Sequence, residues 1–172
     1  MTLQKDLLEQ AHQLAHHEPR RPRQASLRRA VSTAYYAVFH LLVDAASREI
    51  VAGRDQEDLR HIVGRALRHS QMKKACQALA NWNPNNPPRP LAGVLPGGPP
   101  QVVVTVASAF VELQQARHEA DYALSRRFSR SDVLALIELA DAAFSTFASM
   151  KKGNADRRIF LLSLLFHEHW KP

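Results

Sequence analysis

The sequence predicts an all-α fold: an antiparallel bundle of four to five main helices with a short helix toward the C-terminal end. Three observations lead there. Apolar residues recur at three- and four-residue spacing through most of the chain. Capping residues, prolines and glycines fall between those stretches, where helices would start and stop. The one stretch that reads as a strand, Val102, Val103, Val104 and Val106, has no second strand to pair with.

Taken in order, residues 3–17 place Leu3, Leu7, Ala11, Leu14 and Ala15 on one face, with Thr2 positioned to cap and Pro19 and Pro22 to end the helix. A second helix runs from about residue 22 or 26 to residue 50, because Pro22 is tolerated only in a first turn and Gly53 offers a stop. Asp55 and Asp58 read as the start of a third helix whose buried stripe is Leu59, Ile62, Val63, Ala66, Leu67, Cys76 and Leu79. Residues 83–100 then hold seven of the ten prolines and three of the six glycines, which makes them a loop. Their one charge, Arg89, favours a connector over a functional loop. The valine run continues at helical spacing as Ala109, Phe110, Leu113, Ala116 and Ala120, giving a fourth helix over 101–126. Ser129 with Asp132 forms a capping box for a fifth, with Val133, Ile137, Ala140, Phe144 and Phe147 on one face and Gly153 beyond its end. A short sixth segment, 155–170, is apolar on most sides.

At 172 residues and 45% hydrophobic content the chain suits one core, so residues 1–172 read as a single domain. Cys76 is the lone cysteine and cannot staple the chain internally, and Lys5, Asp6 and Glu9 interrupt the apolar stretch a secretory signal needs. The expected compartment is the cytoplasm. The densest apolar run, 159–166, is broken by Ser163 and falls well short of the roughly 20 residues that span a bilayer, so no membrane association is expected.

The formal charge of +7 is segregated. Residues 19–43 carry Arg20, Arg21, Arg23, Arg28 and Arg29 without an acid, and residues 59–81 carry Arg60, Arg65, Arg68, Lys73 and Lys74, again without one. Such surfaces attract nucleic acid without reading its sequence. Charge alone leaves that reading and a merely solubilising surface equally open.

Two helical signatures stand out. In Arg28-Arg29-Ala30-Val31-Ser32-Thr33-Ala34-Tyr35-Tyr36-Ala37-Val38-Phe39-His40, the residues Arg29, Ser32, Tyr36 and His40 share one face. In Arg117-His118-Glu119-Ala120-Asp121-Tyr122, Arg117 and Asp121 lie one turn apart. Each stripe places polar groups where plain core would otherwise stand, so the two helices are expected to be neighbours and to satisfy one another.

These paired stretches resemble the HEPN superfamily, specifically its small stand-alone bacterial branch, over roughly residues 22–150. The resemblance implies an antiparallel helical bundle, often a homodimer, that binds or cleaves RNA or binds a nucleotide. It also implies a toxin–antitoxin or phage-defence setting with a nucleotidyltransferase-type partner protein. HEPN ribonucleases place a histidine five to seven residues after an arginine on the late helix. Here Tyr122, Ala123 and Leu124 occupy those positions after Arg117, and Leu113, Glu112 and Val111 lie five to seven before His118. Arg54 and His61 have that spacing at the start of the third helix, where a chain rich in both residue types produces it by chance.

Other patterns are weaker. His12 and His16 have metal-ligand spacing near His17 and Glu18 but lack a third ligand in view, and His167 with His169 lies near the end of the chain. Cys76 sits in an apolar helical setting that suits a buried thiol rather than a nucleophile. No metal and no cofactor is expected. Three readings follow. In the first, the chain is a non-catalytic RNA or nucleotide binder using Arg29, Tyr36, Arg65, Arg68, Arg117, Asp121 and Tyr122. In the second, it is a metal-independent endoribonuclease with His40 or His118 as acid or base and Arg29 or Arg117 stabilising phosphorane charge. In the third, it is a helical adaptor that docks through Ile159, Phe160, Leu162, Leu164, Leu165 and Phe166.

Overall fold

A computed structural model describes residues 2–167, and the fold is all-α. Among the described residues the helices are α1 Leu3–His16, α2 Gln24–Ile50, α3 Glu57–Ala66, α4 His69–Ala80, α5 Arg89–Ala92, α6 Gln101–Tyr122, α7 Arg130–Ser149 and α8 Ala155–Phe166. The valine run is helical and opens α6. None of these helices is long and apolar enough to cross a membrane.

Local chemistry explains most boundaries. The capping box at α7 closes in both directions, with Ser129 N–H donating to Asp132 Oδ2 at 2.9 Å and Asp132 N–H donating to Ser129 Oγ at 3.1 Å. The first of those bonds, helped by the Ser129 side chain, holds the Asp132 carboxyl below its ordinary range. At α8 the Asn154 side chain accepts from Arg157 N–H at 3.1 Å. Thr2 does not cap through its hydroxyl. Its carbonyl starts α1 instead, accepting from Lys5 and Asp6 at 2.9 and 3.0 Å.

The third helix departs from expectation, because two helices replace one. Asp55 is left-handed, with φ 57°, and turns the chain rather than capping it. Leu67 and Arg68 are extended, which separates α3 from α4. The break lets Leu67 turn inward to 5% exposure while Met72, Ala75, Cys76 and Leu79 bury α4. The same break leaves Leu59 and Ile62, expected on one stripe with Cys76, exposed on α3. The sixth segment is helical as α8, and its last three expected residues, His169 and Trp170 among them, lie outside the described residues.

The described residues form two compact units. The first combines residues 2–41 and 109–145. Within it α2 and α6 run antiparallel, since Arg28 meets Ala120, Tyr36 meets Arg117 and the Tyr35 ring lies 5.6 Å from that of Phe110. α1 and α7 are likewise antiparallel, with Ala15 beside Arg130 and His12 beside Asp141. Tyr35, Phe110, Leu27, Leu113 and Ile137 are fully buried at its centre. The Arg130 guanidinium closes the C-terminal end of α1, donating to the carbonyls of Ala15 at 3.1 Å, Pro19 at 2.9 Å and Glu18.

The second unit combines residues 42–108 and 146–167. Here α4 packs on α8, which buries Phe160, Leu161 and Leu164 and uses much of the apolar surface that an adaptor would present. Glu49 accepts from Arg157 at 3.1 Å and Arg158 at 2.8 Å, and the Arg157 guanidinium lies 5.0 Å from the centre of the Phe147 ring. Gly64 brings α3 close to α2, for a Cβ there would lie 3.3 Å from the Val43 side chain. Residues 83–100 are more than a connector. They include α5, they bury Leu91 and Leu95, and Gly98, at φ +78°, leaves room for the Trp82 ring where a Cβ would stand 2.9 Å from Nε1.

Because Leu91 is wholly buried, Leu91→Ala should lower unfolding stability by about 2–5 kcal/mol, where a slack connector would tolerate it within about 0.5 kcal/mol. Urea denaturation of parent and variant measures the difference.

Candidate functional site

The first unit carries a cleft of about 540 Å³, lined by Ala25, Arg28, Arg29, Ser32, Tyr36, Arg117, Ala120, Asp121 and Tyr122. The two signatures supply every residue of it except Ala25. α2 provides Ala25, Arg28, Arg29, Ser32 and Tyr36, and α6 provides the rest from its last two turns.

The inner edge of the cleft is a polar network. Ser32, 3% exposed, donates from Oγ to Asp121 Oδ1 at 2.6 Å. Arg117 Nε lies 2.6 Å from Asp121 Oδ2, and its Nη2 donates to the Tyr36 hydroxyl at 3.1 Å. The short Nε contact is an ion pair without a hydrogen bond, because that buried N–H is not directed at an acceptor. The guanidinium also lies over two rings, 5.6 Å from the centre of Tyr36 and 5.8 Å from that of Tyr122. Burial disfavours its charge, but Tyr36, Asp121 and Tyr122 outweigh that and raise the Arg117 pKa above its ordinary value. It is therefore a permanent cation.

Arg28 and Arg29 are adjacent and differ in role. Arg28 reaches along the end of α6 and donates to the carbonyls of Ala120 at 2.7 Å, Ala123 at 3.0 Å, Leu124 at 3.3 Å and Arg126. It thereby satisfies one orphan acceptor of the helix C-terminus, Ala120, and three carbonyls of the loop that follows. Sequence reasoning left Arg28 out of the site, although its position one turn before Ser32 was the available signal. Arg29 is exposed on the cleft wall and makes no hydrogen bond or ion pair to another described residue. Tyr122 is 64% exposed although Arg117 lies over its ring.

Of the expected site residues, the cleft unites Arg29, Tyr36, Arg117, Asp121 and Tyr122. Arg65 and Arg68 are exposed in the second unit, on α3 and just beyond it, and do not line the cleft. Neither histidine lines it. His40 is half-buried one turn beyond Tyr36, 5.3 Å from the Phe39 ring, and burial pushes its pKa below the ordinary 6.5. His118 is exposed, its ring 5.1 Å from that of Tyr122.

The other motifs resolve into structural contacts. His12 Nε2 lies 2.9 Å from Asp141 Oδ2, and His16 Nδ1 lies 2.9 Å from the His12 carbonyl. Among the described residues no group of three or more His, Cys, Asp or Glu side chains is arranged to hold a metal ion. Cys76 is fully buried, and desolvation raises its thiol pKa strongly, so it stays protonated. Comparison with known proteins finds no matching family model, curated protein or solved structure.

The network is mostly buried, with 23% of the Arg117 and 29% of the Asp121 side chain exposed. Arg117→Ala strips Asp121 of its counter-charge, and thermal unfolding should register a loss of about 1–3 kcal/mol, between the exposed and fully buried limits for ion pairs.

A second measurement concerns His40. Its folded pKa lies below the ordinary 6.5, so between those two values the unfolded chain holds the extra proton and stability rises with pH. Acidifying from 6.5 downward should therefore destabilise the fold, and His40→Gln should flatten that part of the stability–pH curve. An unchanged slope in the variant would assign the dependence to another group.

Proposed function

We propose that the chain is a HEPN-like helical protein that binds RNA or a nucleotide through the cleft of its first unit. The observation that carries this reading is the pairing of Arg29 with Tyr122. Arg29 is an exposed guanidinium engaged by no other described residue, and Tyr122 is an exposed aromatic side chain lining the same cleft. A guanidinium recognises a phosphate through a rigid fork of donors, and an aromatic face stacks on a base. Arg117, lying over the Tyr36 and Tyr122 rings, supports the positive wall while Asp121 keeps it in place.

Arg20, Arg21 and Arg127 are exposed in the loops that border α2 and α7, and they make no ion pair with another described residue. Those loops are tied together by Arg130 and by Gln24, which bonds both backbone groups of Phe128. An extended polyanion gains more from such a surface than a single nucleotide does. Arg65 and Arg68 give the second unit exposed charge of the same kind. The absence of histidine from the cleft lining favours binding over general acid–base cleavage there. The resemblance adds a homodimer, a toxin–antitoxin or phage-defence setting and a nucleotidyltransferase-type partner to this reading.

Fluorescence anisotropy of a labelled single-stranded oligoribonucleotide tests it. Affinity should fall steeply with salt. Arg29→Ala should weaken binding about 3- to 10-fold and lower the salt slope by about 1 without altering stability. Tyr122→Ala should cost about 1–3 kcal/mol of binding. Displacement by ATP would assign the cleft to nucleotides, and cut RNA on a gel would restore the ribonuclease reading. Salt-insensitive or absent binding would overturn the proposal.

A further inference from the structure

α3 is the least covered helix of the second unit. None of its ten residues is buried. One side nonetheless meets its own unit. Arg60 donates to the carbonyls of Val51, at 3.1 Å, and Gly53, and Gly64 sits against the Val43 and Ser47 side chains of α2. The opposite side carries Leu59, 49% exposed, Ile62, 64% exposed, and the exposed Ala66. Offsets of three and four residues place these three on one apolar stripe.

The charges beside the stripe are ordered along it. Asp58 and Arg65 are seven residues apart, two turns on the same flank of Leu59 and Ile62. Neither makes an ion pair or side-chain hydrogen bond with another described residue. Glu57, by contrast, is engaged by Arg60 at 3.1 Å. The helix is thus acid-flanked in its first turn and base-flanked in its last. Charges so placed complement a copy of the same helix running the opposite way. A two-fold axis beside Ile62 sets Asp58 of each helix against Arg65 of the other, and the two Ile62 side chains meet at the axis. A parallel copy would bring Asp58 to Val63 and leave both charges unmatched.

We propose that the Leu59–Ile62–Ala66 stripe is a self-docking surface, on which a second copy of this chain packs antiparallel, α3 against α3. The inference assigns a surface to the homodimer in the proposed reading and does not depend on RNA binding, since every residue it uses lies on α3 and none lines the cleft. A ten-residue helix is only about 15 Å long and covers less than the roughly 800 Å² per partner of a standard stable interface. The dimer is accordingly weak, with a dissociation constant on the order of 10–100 µM, and forms reversibly.

Sedimentation equilibrium over chain concentrations up to about 0.5 mM tests this directly. The parent chain should pass from monomer to dimer. Ile62→Asp places two like charges at the axis and should weaken association at least about tenfold, with unchanged helicity and melting temperature because the side chain is exposed. Asp58→Arg should weaken association as well, by opposing two arginines. The exchange Asp58→Arg with Arg65→Asp should restore it, since the pairing is reciprocal. A monomer throughout, a dimer indifferent to Ile62→Asp, or an exchange that fails to restore association would overturn the proposal. So would a monomeric parent that sediments with phosphatidylserine vesicles and loses this with Ile62→Asp, because the stripe would then belong to a membrane surface.

Discussion

The first unit depends on how the C-terminal end of α6 is satisfied. α6 stops at Tyr122, and its last carbonyls point at no amide of their own helix. Arg28, on the second helix, donates from a single planar group to the Ala120 carbonyl of α6 and to those of Ala123 and Leu124 in the loop beyond. That contact fixes the register of α2 against α6, because a guanidinium fork tolerates little sliding along a row of carbonyls. With Arg28 set there, Ser32 falls opposite Asp121 and Tyr36 opposite Arg117. The network that lines the cleft follows from the cap. Arg130 repeats the device at the end of α1, so both loops at this end of the unit are held by arginines acting on backbone rather than on acids.

How much of this was legible in the sequence follows from which forces are local. Helix α2 came out within a residue or two of its reading because Pro22 and Gly53 act on their own neighbourhood. The reciprocal bonds at Ser129 and Asp132 span three residues and were legible for the same reason. The pairing of the two signatures was legible because polar groups on an apolar stripe need acceptors, and each stripe held what the other lacked.

What stayed hidden needed tertiary information. The break at Leu67 and Arg68 has no proline or glycine to announce it; it follows from burying Leu67 and the α4 face together. The packing of residues 83–100 was masked by composition, since seven prolines read as slackness while Leu91 and Leu95 supplied two anchors and Trp82 required the bare Gly98. At the cleft, Arg28 and Arg29 are indistinguishable by type. They sit on neighbouring positions about 100° apart on the helix, and only the partner helix decides which is a cap and which is free.

On the proposed reading, that division bears on which anion the cleft would favour. The sequence counts three arginines along its walls, Arg28, Arg29 and Arg117, yet their charges are not equally available. Arg28 faces the partial negative charge of four carbonyls, and Arg117 faces the carboxylate of Asp121. Arg29 remains the one cation on the wall without a counter-group among the described residues. A single exposed guanidinium holds a single phosphate weakly, because water and salt compete for it. On the proposed reading, affinity therefore grows mainly with the length of the anion, as further phosphates meet the exposed arginines of the flanking loops, while stacking on Tyr122 adds a contribution that salt does not screen. A strand of RNA meets both conditions more fully than a free nucleotide, since it presents a base to the ring and a charged backbone to the loops.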